Sequence, residues 1–269
     1  MAKNSEQQVL LTKTLDDLFS HLDRNSTLRV LGGCTRENLI DEKSVSVRGI
    51  PELSQIERRE RFIDIGPAVT LSEMLKLDET KLQPVIKKAL KTIGTAAVRN
   101  LATLGGNICS PGQKLTLWSP LVALDSRIEI KKTANDSKII PLSHFTVLPE
   151  KSVLSKIRIP TTEWKTNIFE RVGPSHWITE NSASFTFLCN TERGIIDNIS
   201  IVFAGVIVFH SKEFENILLG THLPIQKEDM DSFIQDAAEI YDSIEGSDRA
   251  PSILRSQFLN LLRSSLGKC

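Results

Sequence analysis

Two pairs of adjacent glycines constrain this chain more than any other feature of its sequence. Gly32 and Gly33 follow a short aliphatic run, and Gly105 and Gly106 lie in the densest motif of the chain. Paired glycines remove the side chains that would keep a diphosphate away from backbone N–H groups, and they permit positive φ. We therefore expect both segments to be loops that together bind one dinucleotide.

Neither glycine pair belongs to one of the common nucleotide-binding fingerprints. The chain contains no G-x-G-x-x-G after a strand and no G-x-x-x-x-G-K-[ST], so the sequence does not support a Rossmann or a P-loop domain. A single Gly-Gly pair after a strand is most often an ordinary turn. The evidence for a dinucleotide site therefore rests on the combination of the two pairs and on the residues around them.

Composition argues against several classes of function. Lys and Arg together number 33, as do Asp and Glu, so no basic excess is available for a nucleic acid. No apolar run reaches the roughly 18 residues of a membrane span and no signal-peptide pattern is present, so we expect no membrane association and a cytoplasmic location. The 4 cysteines and 5 histidines are scattered without metal-ligand spacing, so no bound metal is expected.

Hydrophobic periodicity predicts an α+β fold. An amphipathic helix should begin after Thr14, a buried strand should cover 28–31, and Thr70 with Glu73 forms a capping box for a helix that reaches residue 77. Further helices are predicted over 82–93, 115–125, 230–241 and 251–266, and further strands over 45–47, 62–65, 128–130, 139–140, 153–159, 169–172, 183–189 and 195–208.

A family resemblance is carried by the segments around the two glycine pairs. Residues 98–108 read V-R-N-L-A-T-L-G-G-N-I and resemble the V-R-N-x-A-T-x-G-G-N-[IL] signature of the FAD-binding subunits of molybdenum hydroxylases, the enzyme class of xanthine and carbon monoxide dehydrogenases. Residues 31–35, L-G-G-C-T, look like the first flavin loop of that family, usually [AG]-G-G-T-D. Weaker similarities follow in order, including I-G-P-A-V-T-L at 65–71 and F-E-R-V-G at 169–173.

The resemblance implies a fold and a division into domains. The implied fold is the FAD-binding α+β fold shared with vanillyl-alcohol oxidase, in two subdomains, followed by a C-terminal α+β domain with a three-stranded antiparallel sheet and helices. Together with the polar stretch at 161–167, it predicts an FAD-binding domain over 1–162, with subdomains of about 1–60 and 61–162, and a C-terminal domain over 163–269.

The resemblance also implies which residues contact FAD. Residues on the pyrophosphate would be Val30, Leu31, Gly32, Gly33, Cys34 and Thr35, with Thr103, Gly106 and Asn107 on the facing segment. Ile93 and Leu154 take the positions of apolar contacts to the flavin ring, and both are equally compatible with an ordinary core. Thr116 stands where the family usually has an Asp that could bind ribose or adenine.

The function implied by the resemblance is electron transfer. In this family a partner oxidises the substrate at molybdenum and passes electrons through iron–sulfur clusters to the flavin, which NAD or another acceptor reoxidises. The implied partners are a molybdopterin-binding large subunit and a [2Fe-2S] small subunit. Because the cofactor carries the reaction, no catalytic side chain is assigned.

Three departures from the family pattern leave two alternatives open. Cys34-Thr35 replaces the usual Thr-Asp, Thr116 replaces an Asp, and Arg171 replaces the lysine of an F-x-K motif. The first alternative is a degenerate scaffold subunit that binds little or no FAD and serves in complex assembly. The second is a stand-alone flavin oxidase, which no histidine or cysteine context for covalent flavin attachment favours.

Overall fold

A computed structural model describes residues 9–25, 27–36, 43–78, 82–175 and 177–269. The chain forms two compact units, the first comprising Met1–Leu82, Thr95–Cys109 and Asp125–Thr161, and the second comprising Gln83–Gly94, Ser110–Leu124 and Thr162–Cys269. The second unit thus takes in two segments that precede residue 162, where the sequence predicts a boundary. That boundary stays a prediction.

A small parallel sheet opens the first unit. Its strands are β1 (Val9–Leu11), β2 (Arg29–Leu31) and β3 (Ser44–Ser46), in the order β1-β3-β2. Helix α1 (Leu15–Arg24) connects β1 to β2, and the hydroxyl of Thr14 accepts a hydrogen bond from the N–H of Asp17 at its start. The predicted apolar stripe of α1 is confirmed, because Leu18, Phe19 and Leu22 are buried.

A five-stranded antiparallel sheet forms the rest of the β-structure of the first unit. Its strands, in the order β4-β5-β8-β6-β7, are β4 (Ile56–Arg58), β5 (Phe62–Ile65), β6 (Arg127–Lys131), β7 (Ser137–Pro141) and β8 (Val153–Pro160). Asp64 lies opposite Arg158, whose Nε and Nη2 donate to the two carboxylate oxygens at 2.8 and 2.9 Å. This bidentate pair favours one register, because a one-residue slip would move Asp64 to the other face.

Three short helices complete the first unit, together with 3₁₀ turns at Pro51–Ser54 and Leu142–His144. They are α2 (Leu71–Leu75), α4 (Ala96–Leu101) and α5 (Leu104–Cys109). The predicted capping box of α2 is confirmed: the hydroxyl of Thr70 accepts from the N–H of Glu73 at 3.2 Å, and the Glu73 carboxylate accepts from the N–H of Thr70 at 2.8 Å.

The second unit is built on a four-stranded antiparallel sheet. Its strands, in the order β12-β11-β10-β9, are β9 (Thr166–Val172), β10 (Ala183–Glu192), β11 (Ile195–Ala204) and β12 (Val208–Phe209). The sequence predicts three strands, with a single strand over 195–208. The structure divides that segment in two, because the chain turns at Gly205, whose N–H donates to the carbonyl of Ile207 at 2.9 Å.

Helices cover both faces of β10. The helices of this unit are α3 (Pro84–Lys91), α6 (Trp118–Ala123), α7 (Lys212–Leu218), α8 (Lys227–Ser243) and α9 (Ser252–Leu266), with a 3₁₀ turn at Ser247–Arg249. Successive side chains of a strand point to opposite faces. Accordingly, Phe185 packs on Phe258 of α9, while the hydroxyl of Thr186 lies 2.9 Å from that of Ser119 in α6.

Among the helices of the described ranges, none combines the length and the apolar character that crossing a bilayer requires.

Candidate cofactor site

The first glycine segment lies at the end of β2 in the first unit. Val30 and Leu31 are its last strand residues, and the carbonyl of Leu31 accepts from the N–H of Val47 at 3.1 Å. Gly32 and Gly33 then leave the sheet half-buried, followed by exposed residues 34–36. Cys34 has a positive φ of 50°. The backbone therefore turns at Cys34, one residue after the glycine pair.

The second glycine segment is helical, so the prediction of a loop over 103–107 is wrong. Thr103 directly precedes α5, and its hydroxyl accepts from the N–H of Gly106 at 3.1 Å, while its carbonyl accepts from the N–H of Asn107 at 3.0 Å. None of the four paired glycines has a positive φ. The glycines therefore serve close approach of backbones and not an unusual backbone conformation.

Close approach is visible in what a β-carbon at each glycine would meet. On Gly33 it would lie 1.9 Å from the carbonyl oxygen of Leu101, and on Gly32 it would lie 2.6 Å from Oγ1 of Thr103. Neither separation is possible for real atoms, because carbon atoms in contact lie about 3.5–4.0 Å apart. The two glycine segments, far apart in the sequence, therefore lie against each other in the first unit.

Gly106 differs from the other three paired glycines. It is exposed, although its neighbours Gly105 and Asn107 are buried. A β-carbon on Gly106 would meet only Oγ1 of Thr103, at 3.1 Å. Gly106 thus exposes backbone atoms beside the Gly32 segment, and no side chain covers them.

A third segment, residues 67–71, fixes the start of α5, a role that the sequence does not predict. The N–H of Gly105 donates to the carbonyl of Pro67 at 2.8 Å, and the N–H of Leu104 donates to that of Val69 at 3.0 Å. A β-carbon on Gly105 would lie 2.6 Å from Cβ of Pro67, so this glycine is required by packing. The sequence does contain an indication of this role. The I-G-P-A-V-T-L motif at 65–71 resembles the family, but the resemblance assigns no contact to it.

The remaining predicted site residues belong to other elements of the fold. Leu154 is in β8 of the first unit, 5% exposed and paired with Ile130. Ile93 and Thr116 belong to the second unit: the N–H of Ile93 donates to the carbonyl of Leu90, and Thr116 is buried next to α6. The structure thus brings Gly32 against Thr103 and close to Gly106, and Gly33 against Leu101. The cofactor-binding roles of all the predicted site residues, Ile93, Thr116 and Leu154 included, stay predictions.

Comparison with known proteins places these segments in a family. The sequence profile of the FAD binding domain in molybdopterin dehydrogenase matches residues 5–162. Indole-3-acetaldehyde oxidase of Zea mays is 30% identical over an alignment of 240 residues that covers 77% of this chain and 18% of that protein. The chain spans less than one fifth of the length of the indole-3-acetaldehyde oxidases that it matches, at 15% and 18%.

Solved structures share the fold of the chain. A chain of carbon monoxide dehydrogenase from Hydrogenophaga pseudoflava aligns with a TM-score of 0.79 at 19% identity, covering 97% of this chain and 98% of that one. A chain of quinoline 2-oxidoreductase from Pseudomonas putida 86 aligns with a TM-score of 0.78 at 16% identity, covering 96% of each. Because the profile match extends over more than half of its residues, this chain belongs to the family of FAD-binding domains of molybdopterin dehydrogenases.

Proposed function

We propose that this chain is the FAD-binding electron-transfer subunit of a molybdenum hydroxylase. The observation that carries the proposal is the contact of the Gly32-Gly33 segment with Thr103, next to the exposed surface of Gly106. Two separate backbone segments converge there, with the Thr103 hydroxyl against Gly32 and the Leu101 carbonyl against Gly33. Family membership makes FAD the dinucleotide that this arrangement would hold.

The residues at this point of the first unit fit a diphosphate. Residues 30–35 and 103–108 contain no carboxylate, so no negative side chain of these segments would repel the phosphates. Thr35 is exposed and offers a hydroxyl, and the open backbone at Gly106 allows close approach. These residues therefore offer a hydroxyl donor at Thr35 and, at Gly106, the space that a pyrophosphate needs.

The role of this chain would be to hold and orient the cofactor. FAD, when bound, supplies the capacity to accept and release electrons. In the proposed complex a [2Fe-2S] small subunit delivers electrons that a molybdopterin-binding large subunit has taken from its substrate, and NAD or another acceptor receives them. The fold shared with carbon monoxide dehydrogenase and quinoline 2-oxidoreductase supports this kind of assembly.

The finer assignments belong to the same proposal. They are the vanillyl-alcohol oxidase type of the two subdomains, about 1–60 and 61–162, the C-terminal domain over 163–269 and a cytoplasmic location. The three long strands β9, β10 and β11 with helices α8 and α9 support the proposed type of the C-terminal domain.

Titration of the chain with FAD, followed by flavin fluorescence, tests the proposal. The chain should bind about one FAD per molecule, and Gly106→Val should weaken binding at least about tenfold, because the branched side chain fills the open surface. Gly267→Val is the matched control, since a β-carbon on Gly267 would make only an ordinary contact at 3.5 Å.

Three outcomes would change the assignment. Unchanged FAD affinity in a folded Gly106→Val variant would remove this segment from the site. Absence of flavin absorbance in the native, partner-containing complex would instead favour the scaffold function. Purification from the native source without a molybdopterin-containing and an iron–sulfur partner would contradict the proposed assembly.

A further inference from the structure

Hydrogen bonds to residues 67–71 hold the second glycine segment in place. The N–H of Leu71 donates to the carbonyl of Ala102 at 2.9 Å, and Thr70 and Thr103 face each other as an antiparallel bridge. The first two residues of α5 donate two further bonds to carbonyls of the same segment. The place of Thr103 in the candidate site is therefore set by residues 67–71 and not by α5 alone.

The amino end of this segment is anchored in a hydrophobic core of the first unit. The N–H of Ala68 donates to the carbonyl of Leu53 at 2.8 Å, and both side chains belong to one buried cluster with Val45 and Ile50. A β-carbon on Gly66 would lie 2.2 Å from the same carbonyl oxygen. This end of the segment therefore cannot shift unless the core repacks.

The carboxyl end of the segment runs into the capping box of α2. The hydroxyl of Thr70 accepts from the N–H of Glu73 at 3.2 Å. One oxygen of the Glu73 carboxylate accepts from the hydroxyl of Thr70 at 2.7 Å and from its N–H at 2.8 Å. Thr70 is half-buried and Glu73 is exposed, so substitutions change the box without opening the core. The residue that pairs with Thr103 is thus also the residue that the box holds.

We propose that Thr70 and Glu73 are positioning residues for the cofactor, a role that rests on the proposed function. By fixing the end of residues 67–71 they keep Thr103 and Gly106 in the arrangement that binds FAD. Neither residue contacts the cofactor in this proposal, because both act through the bridge from Thr70 to Thr103. Loss of the box would lower the fraction of molecules whose site is competent, and the apparent affinity for FAD falls with that fraction.

The test measures the FAD affinity of the full chain by flavin fluorescence. Valine has nearly the shape of threonine without its hydroxyl, so Thr70→Val should weaken binding about fivefold, the equilibrium factor that corresponds to one lost helix cap. Thr70→Ser keeps the hydroxyl and should restore most of the affinity. Thr14→Val is the matched control, because it removes the hydroxyl that accepts from Asp17 at the start of α1 in the same unit. It should leave the FAD affinity unchanged.

Amide hydrogen exchange without FAD reports the position of α5 directly. The N–H groups of Leu104 and Gly105 donate to residues 67–69, so they should exchange faster in Thr70→Val than in Thr14→Val. Glu73→Ala removes the same box through an exposed side chain, and it takes the place of Thr70→Val if that variant does not fold.

The outcomes distinguish the positioning role from the proposed function. Equal FAD affinity of the parent and a folded Thr70→Val variant would overturn the positioning role. An equal loss in Thr14→Val, or no recovery in Thr70→Ser, would overturn it as well. A parent chain that binds no FAD would instead contradict the proposed function. The exchange of Leu104 and Gly105 would then still decide whether the box holds the start of α5, and unchanged exchange in Thr70→Val would show that it does not.

Discussion

Gly32 and Thr103 approach each other so closely that a β-carbon on the glycine would lie 2.6 Å from Oγ1 of the threonine. We therefore expect Gly32→Ala to destabilise the chain by about 1–3 kcal/mol, the usual cost of overpacking. Thr103→Ala should cost about 1 kcal/mol, because the N–H of Gly106 loses its acceptor. The double variant lacks the clash, so its loss of stability should be about 1 kcal/mol smaller than the sum of the losses in the two single variants.

Urea unfolding of the four proteins in this cycle measures the coupling. Gly33→Ala provides the control, because its β-carbon would lie 1.9 Å from a backbone oxygen, that of Leu101, which no side-chain change removes. Thr103→Ala should therefore not rescue Gly33→Ala. Strict additivity of Gly32→Ala and Thr103→Ala would show that the two segments do not touch in solution.

The capping box of α2 should make stability depend on pH in the acid range. Hydrogen bonds from the side chain and the backbone N–H of Thr70 lower the pKa of Glu73 below its ordinary 4.5. A carboxyl group whose pKa is depressed by folding stabilises the folded state above its unfolded pKa, and this contribution is lost as the pH falls through the folded pKa. Glu73→Gln should therefore flatten the decline in stability below about pH 4.5.

Unfolding midpoints of the parent and Glu73→Gln, measured from neutral pH downward, test this expectation. Glu57→Gln is a suitable comparison, because it removes another carboxylate of the same unit without touching the capping box. Parallel curves for the parent and Glu73→Gln would contradict the assigned role of the Glu73 carboxylate.

The hydroxyl of Tyr241 is buried in the core of the second unit and has no hydrogen-bond partner among the described residues. Its ring stacks on that of Phe258, with centroids 5.6 Å apart. A buried hydroxyl without a partner costs free energy, so Tyr241→Phe should leave stability at neutral pH unchanged or raise it by up to about 1 kcal/mol. Urea unfolding measures this change, and a loss above about 1 kcal/mol would mean that the hydroxyl is hydrogen-bonded after all.

Burial of Tyr241 also predicts a loss of stability at alkaline pH. Burial raises the pKa of Tyr241 from 10.0 to about 12. A group whose pKa is raised by folding stabilises the protein fully below its unfolded pKa and loses that contribution as the pH rises through the folded pKa. Between pH 10 and about 12 the parent should therefore lose stability relative to Tyr241→Phe. The chain contains a single tyrosine, Tyr241, so near-ultraviolet absorbance reports its ionisation directly.

Elements set by neighbouring side chains could be predicted from the sequence, and elements set by distant contacts could not. The Thr70 capping box depends on residues three apart, and the structure reproduces it. The sequence predicts a loop in place of helix α5 because paired glycines permit positive φ and close approach of backbone to a diphosphate. Its start is stabilised by hydrogen bonds from Leu104 and Gly105 to residues 67–69, which periodicity does not reveal. The three-residue strand β1 is not predicted, because its sequence V-L-L does not alternate between apolar and polar residues: Leu11 is apolar although it is 81% exposed.

The same distinction applies to the candidate site. Each glycine pair was recognised as a place of close backbone approach, which the structure shows at Gly32, Gly33 and Gly105. What the glycines approach could not be derived, because Leu101, Thr103 and Pro67 are brought there by the chain topology. Family resemblance predicts a facing segment at 103–107, and Thr103 does lie against Gly32; the cofactor contacts of that segment, and those of Ile93 and Thr116 in the second unit, stay predictions.

Thr116 and Arg171 line one crevice of the second unit, and the pair leads to a final prediction. The Arg171 guanidinium donates to the carbonyls of Pro174 and Trp177, but no carboxylate among the described residues lies within ion-pair distance of it. Burial lowers the pKa of Arg171. Thr116→Asp would supply the missing negative charge, and it should stabilise the chain by about 1 kcal/mol, a value that allows for solvent screening.

Thr116→Asn is the matched control, because asparagine has nearly the shape of aspartate without its charge. Thr116 is 6% exposed, so an aspartate that failed to pair with Arg171 would be a buried, uncompensated charge and would destabilise the chain more than asparagine does. Comparing the thermal unfolding midpoints of Thr116→Asp and Thr116→Asn at neutral pH therefore shows whether the aspartate pairs with Arg171 or is buried as an uncompensated charge. Pairing with Arg171 would also depress the pKa of the new carboxyl group, so the advantage of Thr116→Asp should vanish as the pH falls through that lowered pKa. An advantage for Thr116→Asn at neutral pH would show that position 116 does not reach the guanidinium.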